Sequence, residues 1–172
     1  MTVTLEPTGP RLLRRTVDRF LPEAARLVRD HMREPMPDTL VRLAHPGDFG
    51  PAVAHATGGR PSWWRTVMEN ESQRRDAHIA TGMTVPTDDG RVLVLLHIAA
   101  MRQDGQLFPT LVHELVHAVQ MGRPRTAADA LARNRHHLGI ERQSRRWLTD
   151  HSASIGRDEE EAYRIEHLFA AG

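Results

Sequence analysis

The chain contains no cysteine and no lysine; all 23 of its basic residues are arginine. Without cysteine there can be no disulfide, no thiolate-ligated metal and no cysteine nucleophile. The missing lysine, beside abundant Ala and Gly, reads as the codon bias of a GC-rich genome rather than as a functional device. Aromatic residues are scarce, at 5%. No stretch approaches the ~18 uninterrupted apolar residues of a bilayer span. The opening Met-Thr-Val-Thr-Leu-Glu-Pro-Thr-Gly-Pro lacks a basic start followed by an apolar run, so it is not a secretory signal. The expected compartment is the cytoplasm, with signal-less export as the alternative. A net charge of +1 supplies no bulk attraction to nucleic acid or to a membrane surface, and neither is expected as a partner. Arg142-x-x-Arg145-Arg146, with Glu141 beside it, reads as a solvated helix face.

What is present describes an ordinary globular chain: 172 residues, 40% hydrophobic and 26% charged. That is long enough to bury a core as one domain over residues 1–172. Residues 11–32 carry an apolar face at helical spacing (Leu12, Leu13, Val17, Phe20, Leu21, Ala24, Leu27, Val28), so the N-terminal part, about 10–33, is helical. Pro22 falls inside, which predicts a kink or two consecutive helices. Thr39–Ala44 reads as a short strand. Three Gly-or-Pro clusters between 45 and 61 predict a long loop. Ser62 can cap a helix over Trp63–Glu69, with the Trp63-Trp64 pair read as core packing.

The clearest β signal follows. Ala77–Pro86, then Thr87-Asp-Asp-Gly90, then Arg91–Ile98 read as an antiparallel hairpin. A helix over 106–121 comes next, stopped by Gly122 and Pro124. Helical stretches are expected at 126–134, 138–151 and 158–171, the last with acid at its N-terminus. Strands in one run and helices elsewhere make the fold class α+β: a short antiparallel or mixed sheet packed on helices.

The helix at 106–121 contains His113-Glu114-Leu115-Val116-His117. Histidines four apart lie one turn above each other on one helix face, where both imidazoles can bind one metal, and the adjacent carboxylate can act as a base on water. A shuffle of this composition, with 11 His in 172 residues, produces the pattern with a probability of roughly 4%. Context must therefore supply the rest. A catalytic zinc site needs three protein ligands and one open position. A third histidine six residues beyond the second is excluded, because Gln120 and Arg123 stand where that arrangement needs Gly and His. A glutamate on a later helix remains, and Asp158-Glu-Glu-Glu-Ala-Tyr-Arg-Ile-Glu166 offers several.

His113-Glu114-x-x-His117, followed about 40 residues later by Glu159-x-x-Ala162, resembles the gluzincin clan of zinc metallopeptidases in a minimal form. The likeness spans residues 91–170, within a catalytic core of about 77–171, and is also seen in short bacterial and phage H-E-x-x-H proteins. It implies a small zincin-like domain holding Zn²⁺ through His113, His117 and Glu159, Ala162 letting the two helices approach. It implies Glu114 as general base and a peptide or protein as substrate. It implies further that the strand before the motif helix, 91–98, is the sheet edge along which an extended substrate adds. Glu160 and Glu161, one and two residues further on, are the ligand alternatives. Many clan members carry Asp after the small residue as partner to a ligand histidine; here that position is Tyr163. For the oxyanion donor the candidates are Tyr163, His151, His97, His136 and His137. Gln120, seven residues after His113 on the same helix face, is placed to orient a neighbour, with plain helix surface as the favoured reading. The competing reading is a regulatory or interaction module that keeps the zinc site but acts by binding a partner. Oligomeric state is not legible.

Overall fold

The computed structural model describes residues 2–59, 81–103 and 105–169. In chain order the elements are β1 (Val3–Leu5), α1 (Arg11–Met32), β2 (Thr39–Ala44), α2 (Pro46–Ala56), β3 (Gly82–Pro86), β4 (Val92–His97), α3 (Leu107–Met121), α4 (Pro124–His137) and α5 (Arg145–Phe169). The expected helix over Trp63–Glu69 and the first residues of the strand expected from Ala77 lie outside the described residues.

β4 explains why the chain is layered. Each of its six residues is buried, and the period of two sorts them onto opposite faces. Val92, Val94 and Leu96 join Leu13, Val17, Val28, Leu111 and Leu115 in a cluster shared with α1, α3 and α5. Leu93 and Leu95 join Phe49, Ala52, Val53 and Ala56 of α2 on the other side. A strand buried on both faces needs helices on both, and the chain supplies them. The four strands form one mixed sheet in the order β1-β2-β4-β3. β1 and β4 flank β2 in parallel register, whereas β3 runs antiparallel to β4, Gly82 facing Leu96 and Pro86 facing Val92.

The α+β architecture is the expected one, and the hairpin sits where Asp-Asp-Gly placed it. Five local readings change. The strand before the motif helix is not an edge: β4 lies between β2 and β3, and among the described residues β3 is the edge on that side. α1 runs unbroken through Pro22, since six core-facing residues of that helix outweigh one missing N–H. Residues 46–56 are helical rather than a loop. Pro46 is tolerated in the first turn, the His45 N–H donates to the Asp48 carboxylate at 3.2 Å, and Phe49, Ala52, Val53 and Ala56 bury one stripe. The stretches at 138–151 and 158–171 belong partly to a single helix, α5. Ser144 starts it by accepting the Trp147 N–H at 3.1 Å, and Gly156 sits within it at a cost of about 1 kcal/mol relative to Ala. β1 is an additional strand, paired parallel with β2.

Arg123, the residue that excluded a third histidine, joins three elements just past the end of α3. Its guanidinium donates to Glu34, beyond α1, at 2.8 and 2.6 Å, and to Glu161 of α5 at 3.2 Å. The Arg123 hydrogen bonds hold the Glu34 carboxyl below its ordinary value of 4.5, against the opposing effect of burial. A depressed carboxylate pKa contributes stability above the unfolded value and loses it as pH falls through the folded one. Arg123→Ala is therefore expected to lower the unfolding free energy by about 1 kcal/mol at neutral pH, the pair being partly exposed. In urea titrations the gap from wild type should narrow as pH drops below the ordinary carboxylate range; a gap independent of pH would show that Arg123 acts through packing alone.

Candidate metal centre

α3 is apolar around most of its circumference: Leu111, Val112, Leu115, Val116, Ala118 and Val119 are all buried. That burial fixes the helix's rotation and turns His113 and His117 toward α5, their ring centroids 4.7 Å apart. α5 meets them with Glu159, while Ala162, with no exposed surface, lets the helices close on each other. The His113 and His117 Nε2 atoms are 3.1 Å apart. Glu159 Oε2 lies 3.6 Å from the first and Oε1 3.4 Å from the second. A tetrahedral ion with bonds of about 2.0–2.1 Å spaces its ligands about 3.3 Å apart. The three donors match that spacing, and together they form a group able to hold a metal ion.

The remaining ring nitrogens are already committed. His113 Nδ1 donates to Glu166 Oε2 at 2.9 Å, and His117 Nδ1 donates to Gln120 Oε1 at 2.7 Å. With each Nδ1 carrying the proton, each Nε2 presents a lone pair, and both lone pairs face the Glu159 carboxylate, which is also an acceptor. Acceptors converging at this distance repel one another unless a cation lies among them. Gln120 is completely buried and held in turn, its amide donating to the Asp158 backbone carbonyl and to Glu161, each at 2.9 Å.

Without an ion, protons take its place. Burial works to lower the His117 pKa, but the Glu159 hydrogen bond and the charges of Glu114 and Glu159 outweigh it and raise the pKa to about 9. His113 moves the same way for similar reasons. The hydrogen bonds from His113 and His117 hold Glu159 far below the usual carboxylate range.

Glu114 leaves the same turn of α3 in another direction, against the edge strand β3. Thr84 Oγ1 lies 2.7 Å from Glu114 Oε2 and 3.0 Å from its backbone oxygen. Gly82 makes the approach possible, because a Cβ there would fall 2.6–2.8 Å from the Glu114 carboxyl and Cγ. Burial raises the Glu114 pKa, opposed by the charges of His117 and His113 and by the Thr84 hydrogen bond. All of these groups open onto a cleft of about 480 Å³, whose walls also include Tyr163, Arg133 and His151.

The structure thus brings together His113, His117, Glu159 and Glu114. Tyr163 is beside them, half-exposed, its ring edge-on to His113 at 4.8 Å. Of the other ligand alternatives, Glu160 is exposed and Glu161 is bonded to Arg123 and Gln120. His151 lines the cleft; His97, His136 and His137 do not. Gln120 is a correction: it is not helix surface but the buried partner of His117, visible in the sequence only as a position three residues past that ligand. Glu166, and not the residue at 163, accepts the hydrogen bond of His113 Nδ1. It stands seven residues after Glu159, two turns along the same face of α5, a spacing that would have identified it. Nothing local in the sequence marks Gly82 or Thr84.

Gln120→Leu and Glu166→Ala are each expected to weaken metal affinity about 10- to 100-fold by releasing a ligand ring from its tautomer and orientation. Competition with a chromophoric chelator measures this, with circular dichroism to confirm the fold; unchanged affinity in both variants would separate these residues from the metal centre. No protein-family model, curated protein or solved structure matches the chain.

Proposed function

We propose that the protein is a zinc-dependent peptidase of gluzincin-like type, with His113, His117 and Glu159 as ligands and Glu114 as general base. One observation carries this reading: three acceptor groups converge at tetrahedral spacing beside a buried carboxylate, in a cleft bordered by a sheet edge. The donor set of two imidazoles and one carboxylate, without thiolate, is that of catalytic zinc sites with an open position. When bound, zinc supplies a Lewis acid that polarises a substrate carbonyl and makes water a nucleophile at neutral pH.

The chain's own residues do the rest. Glu114 Oε2 is held by Thr84, which leaves Oε1 to take the proton of the attacking water and pass it to the departing amine. Burial raises the proton affinity of that carboxylate, bringing it nearer the value a base needs at neutral pH. β3 offers backbone N–H and C=O groups at the rim of the cleft, where an extended peptide can add as a further strand. Tyr163, edge-on to His113, supplies the hydroxyl that would donate to the developing oxyanion.

Metal-depleted protein reconstituted with zinc is expected to retain one equivalent by mass spectrometry of the metal, and His113→Ala to retain none. Glu114→Gln should keep the metal yet lose about 10²- to 10⁴-fold in cleavage of a peptide library. Tyr163→Phe should lose about 10²-fold in kcat with metal affinity unchanged. Full activity in Glu114→Gln, or no stoichiometric metal, would end the proposal.

Gly82→Ala and Thr84→Val probe the setting of the base. Gly82→Ala should reduce turnover by pushing the Glu114 side chain off β3. Thr84→Val should cut kcat with little change in KM, and Thr84→Ser should restore it. Failure of the serine variant to rescue would show that Thr84 matters for packing instead.

A further inference from the structure

Arg133 lines the same cleft as the metal centre and the base. The other inward-facing arginines have partners: Arg42 pairs with Glu6, Arg123 with Glu34 and Glu161, and Arg135 with Glu141 and the Thr57 carbonyl. Arg133, partly buried on α4, makes no hydrogen bond and no ion pair with any described residue. Burying a guanidinium without a partner is costly. The cleft's carboxylates are bonded elsewhere: Glu159 and Glu166 face the imidazoles, Glu114 faces Thr84, and Asp158 is 4.0 Å from Arg123, so that only the charge of Glu159 acts on Arg133, without an ion-pair contact.

His151 brings a second unsatisfied nitrogen to this cleft. It is only 8% exposed, stacked on Trp147 with ring centroids 4.8 Å apart, and its Nε2 is buried without a hydrogen-bond partner. Its Nδ1 lies 3.4 Å from Ser154 Oγ and 4.0 Å from Asp129. Burial and the charge of Arg133 both act to keep this imidazole neutral, against the pull of Asp129 and Asp158. Two nitrogen-bearing groups that would ordinarily be paired, a guanidinium and an imidazole, therefore stand unpaired in the wall of one cleft.

We propose that Arg133 is the receptor for a carboxylate of the substrate, so that the cleft selects peptides carrying an acidic side chain, or the free C-terminus, close to the scissile bond; this rests on the peptidase reading above. The planar fork of the guanidinium matches a carboxylate with two parallel hydrogen bonds, a geometry that lysine would not supply. Zinc held by Glu159 would offset that carboxylate's charge and so weaken its pull on Arg133, leaving the guanidinium freer to meet an incoming carboxylate. His151 borders the receptor as a neutral group that adds no competing charge. Selection by one charge-assisted contact of this kind is worth about 10- to 100-fold.

The test has two arms. In the first, zinc-loaded wild type and Arg133→Gln digest the same peptide library, once with free and once with amidated C-termini. Wild type should favour Asp or Glu near the cleavage site about 10- to 100-fold, or should cut only near free C-termini, and Arg133→Gln should lose that preference. Arg133→Lys, which keeps the charge without the fork, should fall between them and serves if the glutamine variant fails to fold. The amidated library tells the two carboxylate sources apart. In the second arm, metal-free ¹⁵N-arginine-labelled protein is titrated with N-acetylglutamate amide, N-acetylalanine and N-acetylglutamine amide. The Arg133 Nε–H resonance, assigned by its loss in Arg133→Gln, should move with at least one of the two carboxylates and not with the neutral amide. A resonance unmoved by either carboxylate, or unchanged cleavage preferences in Arg133→Gln, overturns the proposal. If wild type cuts nothing, the peptidase reading falls, and the titration alone decides whether Arg133 receives carboxylates.

Discussion

Two imidazole nitrogens 3.1 Å apart, each with its other nitrogen already donating, form an arrangement a protein does not hold without cause. Their lone pairs and the Glu159 carboxylate repel until a positive charge comes between them. Everything that fixes this arrangement is buried structure: the apolar girth of α3, the Ala162 contact with α5, and Gln120 locked to the Asp158 carbonyl. The same packing that makes the core therefore sets the distances at the centre, and a shift of α5 along its axis would disturb both together.

The sheet supplies the other half of the cleft. Because β4 is buried on both faces, it serves as a fixed floor, and β3 is carried on it as the margin of the sheet among the described residues. Glu114 bridges these parts. It belongs to α3 but rests on Thr84 and beside Gly82 of β3, so strand and helix jointly determine where the carboxylate sits.

The centre was legible from sequence because its logic is local. His113, Glu114 and His117 lie within a single turn and a half, and Glu159 with Ala162 within another turn. The edge strand was assigned to the wrong member of the hairpin, because order across a sheet depends on pairing with β2, some 50 residues earlier, which no local pattern records. α2 was hidden by Pro46, Gly47, Gly50 and Pro51, although Phe49, Ala52, Val53 and Ala56 already showed a helical stripe; burial outweighed backbone preference. Gln120 and Glu166 have meaning only once α3 and α5 are seen face to face. Gly82 is the extreme case, since what it provides is the absence of an atom.

Arg123 carries one further consequence. A histidine at that position would fit the spacing of a three-histidine metal motif on the same helix, and the codons for arginine and histidine can differ by one base. In this fold that step leads nowhere useful. The side chain at 123 points to Glu34 and Glu161, with the backbone at Gly122 pressed against Pro35 and Pro37, so its replacement removes a joint between α1 and α5 without delivering a ligand. The joint that Arg123 makes with Glu34 and Glu161 thus also fixes α5, the helix that carries Glu159.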